Sequence, residues 1–106
     1  VTPIEETPLP ALKAVVSLWQ NLDMRVSTID PEKHDEIVAH ISHLPHVLAS
    51  VLSAQLLHKD KSWGALAGNG LADTTRIAAG NPVLWRHIFE QNRDEVLRAI
   101  TAFENE

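Results

Sequence analysis

Apolar residues recur at steps of three and four along most of the chain, the period of helices with one buried face. Leu9, Leu12, Val15, Val16, Trp19 and Leu22 set the first such face. Thr7-Pro8 ahead of it predicts a hydroxyl N-cap with proline in the first turn. Asp30-Pro31 predicts a second start, with Glu32, Asp35 and Glu36 where the helix dipole favours negative charge. Ile37, Val38 and Ile41 continue that face until Pro45, which must kink the helix or begin a new one. Val47, Leu48, Val51, Leu52 and Leu56 then run to the neighbourhood of Lys59, beside a line of small residues (Ala49, Ser50, Ser53, Ala54) that would let a neighbour approach. Beyond a weakly helical Trp63-Gly64-Ala65-Leu66-Ala67, the sequence Gly68-Asn69-Gly70 predicts a flexible turn. A short helix is expected over Asp73 to Ala79, ended by Gly80. Asn81-Pro82 opens the next, carrying Val83, Leu84, Trp85, Ile88 and Phe89. Asn92 and Glu95 have the spacing of a capping box before Val96, Leu97, Ile100 and Phe103. Only Met24 to Ile29 alternates apolar and polar with β-branched residues, and one strand cannot satisfy its own backbone. The expected fold is therefore all-α, a bundle of five to six helices with one short strand near residues 24–29.

Composition narrows the function classes. With 106 residues there is room for one domain. Apolar residues at 44% and charged residues at 22% are globular values. No uninterrupted apolar run approaches the roughly 20 residues of a membrane span. The absence of cysteine excludes disulfides, thiolate metal sites and a cysteine nucleophile. No basic segment followed by an apolar stretch marks a secretory signal, so the expected compartment is the cytoplasm, with no membrane partner. Fourteen acids against nine bases, a net charge of −5, argue against a general nucleic-acid surface. An anionic small molecule stays compatible where one particular arginine overrides the global field.

The candidate chemistry begins with His34, His40, His43 and His46, four of the six histidines. A metal site needs converging ligands, but Pro45 interrupts the helical geometry and no carboxylate has the spacing of a zinc-protease helix. His34-Asp35 invites comparison with metal-dependent phosphohydrolases of the HD superfamily, yet no histidine precedes His34. For any single histidine the ordinary reading is a surface or cap residue. Grouped around a proline, they read as the wall of a polar pocket. Arg76 follows Asp73 by one turn, so spacing alone favours an ordinary helical ion pair over a guanidinium poised for a carboxylate. Gly64, Gly68 and Gly70 do not form the dinucleotide fingerprint, and no strand leads into them. Trp85 at helical spacing reads as core.

Three motifs occur in order: His34-Asp35 through Ser42-His43-Leu44-Pro45-His46; Gly70-Leu71-Ala72-Asp73-Thr74-Thr75-Arg76-Ile77-Ala78; and Asn81-Pro82, Trp85-Arg86, Ile88 and Asn92. Together they resemble the C-terminal domain of prephenate/arogenate dehydrogenases, across nearly the whole chain. The resemblance implies a helical bundle like the C-terminal domain of 6-phosphogluconate dehydrogenase. It also implies a homodimer and, in a separate Rossmann domain, a site for NAD or NADP together with the catalytic histidine. The reaction implied is oxidative decarboxylation of prephenate or arogenate in tyrosine biosynthesis, so this chain alone would be inactive. Residues 1–29 would be linker, helix and edge strand belonging with the Rossmann domain, and residues 30–106 the dimerisation and substrate-binding domain. By the same resemblance Arg76 holds a substrate carboxylate, which reverses the reading from spacing. His46 and Ser42 lie near the substrate ring, and Trp85 gates the cleft. His34, Asp35 and Asp73 form an ionic network around the arginine. Leu71-Ala72 departs from the family's aromatic-plus-basic pair, and the chain ends at Glu106, where family members continue. The rival reading is a non-catalytic module that senses an aromatic acid or dimerises; a Gly-x-Gly-x-x-Gly turn encoded just upstream of Val1 would discriminate against it.

Overall fold

The computed structural model describes residues 1–106 and divides into two compact units, Val1–Ile37 and Val38–Glu106. The fold is all-α, with six α-helices and no strand.

In the first unit α1 spans Leu9–Asn21. Pro8 stands at its N-cap and no side chain caps it. Thr7 does not take that role: its hydroxyl accepts from the Ile4 amide at 2.9 Å, closing the turn ahead of the helix. The helix ends in a Schellman motif, Met24 N donating to the Trp19 carbonyl and Asp23 N to that of Gln20, with Asp23 left-handed at φ 57°. No residue of α1 is buried, although its apolar stripe predicts a covered face.

The expected strand over residues 24–29 does not form. The segment has one short partner, Val1, whose nitrogen donates to the Ser27 carbonyl at 2.9 Å and whose carbonyl accepts from Ile29 N at 3.1 Å. Two bonds to one residue do not make a ladder. Asp30 does begin α2 (Pro31–Val38), its carboxylate accepting from Lys33 N at 3.0 Å.

Pro45 acts on the backbone before it. Its missing N–H leaves the Ile41 carbonyl without an ordinary helical partner, and Ala39–His43 widens into a π turn in which Leu44 N donates to the Ala39 carbonyl. The α-helix resumes as α3, Leu44–Leu57, with proline in its first turn. Asp60 then caps a 3₁₀ turn, Lys61–Leu66, accepting from Ser62 N at 2.8 Å. The predicted glycine turn is instead the start of α4, Asn69–Thr75, with Gly68 at its N-cap; the helix therefore begins four residues before Asp73. It tightens into a 3₁₀ turn, Arg76–Ala79, and Gly80 follows. α5 spans Pro82–Gln91 and α6 Arg93–Glu104.

The core of the second unit is small. Ala39 and Ala99, both 0% exposed, let α6 lie close against the π turn, with Leu44 and Val96 completing the buried set. Val47, Leu48, Phe89 and Ile100 pack around them. The stretch Pro31–Leu57 is long and apolar enough to cross a membrane by length and composition. His43 and His46, among its few buried residues, face the α5 aromatics.

Candidate functional site

Asn81 sets the site's geometry. Its side-chain oxygen accepts from Val83 N at 2.9 Å and Leu84 N at 3.2 Å, fixing where α5 starts. Trp85 and Phe89, four residues apart, then project from one face of that helix. On α3 and the turn before it, His43 and His46 share a face at a spacing of three. The two faces meet: the His46 and Trp85 rings stack with centroids 3.5 Å apart and planes within 9°. His43 meets the edges of Trp85 and Phe89 at 6.2 and 6.4 Å.

The two histidines have different electrostatics. Asn92 brings its side-chain amide within 3.3 Å of His43 Nδ1; with the amide donating, His43 carries its proton on Nε2. His46 is only 4% exposed, and its Nδ1 is buried without a hydrogen-bond partner. Burial disfavours the charged imidazolium and pulls the His46 pKa below its ordinary value, so the ring is neutral near pH 7.

Beside this stack opens a cavity of about 500 Å³. His46, Pro82, Trp85 and Phe89 give it aromatic and apolar walls, and Arg86, Glu90 and Arg93 are its charged groups. Glu90 lies 3.8 Å from Arg86 and 3.4 Å from His87, and Arg93 pairs with Asp94 at 3.7 Å, so each lining guanidinium has a carboxylate beside it. A flat apolar wall next to guanidinium groups suits an aromatic carboxylate.

The residues singled out from sequence are distributed unevenly. His46 and Trp85 come together in the cavity. Ser42, in the π turn, and Arg76, at the start of the last 3₁₀ turn, are exposed and do not line it. Asp73 is exposed on α4 and makes no ion pair with Arg76, so the spacing that suggested a structural pair does not produce one. In the first unit, His34 Nδ1 and Asp35 Oδ1 bond to each other at 2.9 Å. His40 is exposed, and no three His, Asp or Glu side chains converge as metal ligands. Gly64 lies in a 3₁₀ turn, and Gly68 and Gly70 lie at and just inside the start of α4 with no strand before them. Sequence reasoning missed Arg86, Arg93 and the spatial role of Gly80. Arginine four residues before glutamate looks like any exposed helix pair, and no local pattern announces the cavity.

Residues 30–106 match the family model of the prephenate dehydrogenase dimerization domain, and the chain belongs to that family. It is 32% identical over 100 residues to the prephenate dehydrogenase of Bacillus subtilis, covering 92% of this chain and 27% of that protein. It is 30% identical over 107 residues to the cyclohexadienyl dehydrogenase of Zymomonas mobilis, covering 97% and 36%. Among solved structures, the A. aeolicus prephenate dehydrogenase in complex with hydroxyphenyl propionate and NAD+ superposes with a TM-score of 0.89 at 36% identity, over 98% of this chain and 37% of that one. The Synechocystis arogenate dehydrogenase gives 0.81 at 28% identity, over 98% and 39%. The chain thus spans between a quarter and two fifths of the length of these oxidoreductases.

Proposed function

We propose that this chain is the dimerising, substrate-side domain of an NAD- or NADP-dependent prephenate or arogenate dehydrogenase of tyrosine biosynthesis, a homodimer acting by oxidative decarboxylation. The observation that carries the reading is the His46–Trp85 stack beside a cavity lined by two arginines, in a chain of this family. The cavity receives the ring of the anionic substrate, with His46 and Trp85 against it. Arg76 has a guanidinium free of carboxylate partners, available for a substrate carboxylate delivered by the rest of the protein. Ser42 contributes a hydroxyl to the substrate, and Asp73, one turn before Arg76, tunes the approach to the arginine. No phosphate-binding turn is built from these residues, so the nicotinamide cofactor, which supplies the hydride acceptor, is held elsewhere in the protein. Residues 1–29 go with that nucleotide-binding part.

The test uses the full-length protein with prephenate or arogenate and either cofactor, followed by appearance of reduced nicotinamide. Arg76→Ala should raise the substrate KM about ten- to hundredfold, the worth of a charge-assisted pair of roughly 1.5–3 kcal/mol, with the cofactor KM nearly unchanged. Its thermal stability should stay within about 0.5 kcal/mol, because no ion pair is lost. No turnover with either substrate would reject the function, and equal losses for both ligands would reject the role of Arg76.

A further inference from the structure

Gly80 precedes the Asn81 cap of α5 with φ −59° and ψ 155°, angles that any residue adopts. Space, rather than backbone freedom, is what makes glycine special here. A Cβ on Gly80 would lie 2.8 Å from Cδ1 of Trp85, nearer still to its Nε1, and 3.2 Å from Cε1 of His46. At Gly64, Gly68 and Gly70 an added Cβ meets nothing within 4 Å.

We propose that Gly80 is a positioning residue of the cavity: the absence of a side chain lets the Trp85 indole lie flat on His46, and any larger residue moves the indole off the imidazole. The start of α5 is held, Trp85 N being bonded to the Asn81 carbonyl at 3.1 Å and Asn81 capping the helix. Relief comes through rotation of the indole about its side-chain torsions. Loss of the stack opens His46 to water and frees its ring orientation, which deepens, and rests on, the reading of this cavity as the substrate pocket.

The experiment compares wild type, Gly80→Ala, Trp85→Leu and Gly64→Ala in the full-length protein with labelled histidine, His46→Gln identifying the resonance. In wild type the His46 Cε1–H signal should sit upfield from the indole ring current and titrate below the ordinary histidine value. Gly80→Ala should lose the upfield shift, raise that pKa and weaken substrate KM about three- to tenfold while kcat and cofactor KM hold, the worth of one aromatic stack. Trp85→Leu should reproduce the spectral change, and Gly64→Ala should change nothing. An upfield His46 signal retained in folded Gly80→Ala overturns the proposal and leaves the pocket reading intact. A lost shift with unchanged substrate KM supports Gly80 as the residue that places the ring and overturns the pocket reading.

Discussion

At the scale of single residues, the neutral imidazole of His46 couples stability to pH. Its folded pKa lies below the ordinary value because burial penalises the charge. The unfolded chain, with a histidine pKa of about 6.5, therefore takes up a proton before the folded one does. The contribution of this group is full above about pH 6.5 and is lost as the pH falls from there through the lower folded value. Denaturant midpoints measured between pH 7 and 5 should fall more steeply for wild type than for His46→Gln. Parallel curves would mean that the ring is not desolvated. Exposed Asp60 also has a lowered pKa, caused first by its hydrogen bond from the Ser62 backbone, and its position at the surface makes it a minor contributor.

At the scale of elements, local capping chemistry was legible where both partners are near in sequence. Asp30 and Asn81 begin α2 and α5 as their Asx-Pro signatures predict. Asn81→Ala removes an acceptor from two amides and should cost about 1 kcal/mol, read as a drop in denaturant midpoint. It should also disturb the Trp85 environment in near-ultraviolet dichroism, because the cap sets the position of that helix. A cost near zero would show that water replaces the cap. Signals failed where a distant partner competes. Asn92 and Glu95 have capping-box spacing, yet the Asn92 amide goes to His43, 49 residues earlier, and Glu95 pairs with Arg98. Pro45 announced a break, but its form, a π turn, is settled with α6 packed against Ala39. Gly80 read as a helix terminator, whereas the space taken by Trp85 is visible only in three dimensions. The facing of His46 and Trp85 likewise joins two helices that no local period relates.

At the scale of the whole molecule, the apolar faces exceed what the chain covers. Every residue of Val1–Ile37 escapes full burial, and α1 leaves Leu9, Leu18 and Trp19 exposed, with Leu22 just past its end. In the second unit Leu57 and Leu66 are 82% and 88% exposed, and Val51, Val83 and Phe103 are also open to solvent. A domain of this size buries a smaller fraction of its surface than a larger one, and apolar patches beyond a few hundred Å² mark interfaces. The small-residue side of α3 is used partly within the chain, since Ala49 is buried, but Ala54 is exposed, as is Val51 on the apolar face. Membership in a family described as a dimerization domain supports a second copy as the cover, most simply by isologous pairing about a two-fold axis. Light scattering or sedimentation at micromolar concentration should therefore return twice the 11.7 kDa chain mass. Replacing Val51 and Leu57 together by charged residues should shift the equilibrium toward monomer and expose more dye-binding surface. A stable, folded monomer of the unaltered chain would mean that these faces tolerate water, and the dimer would fall.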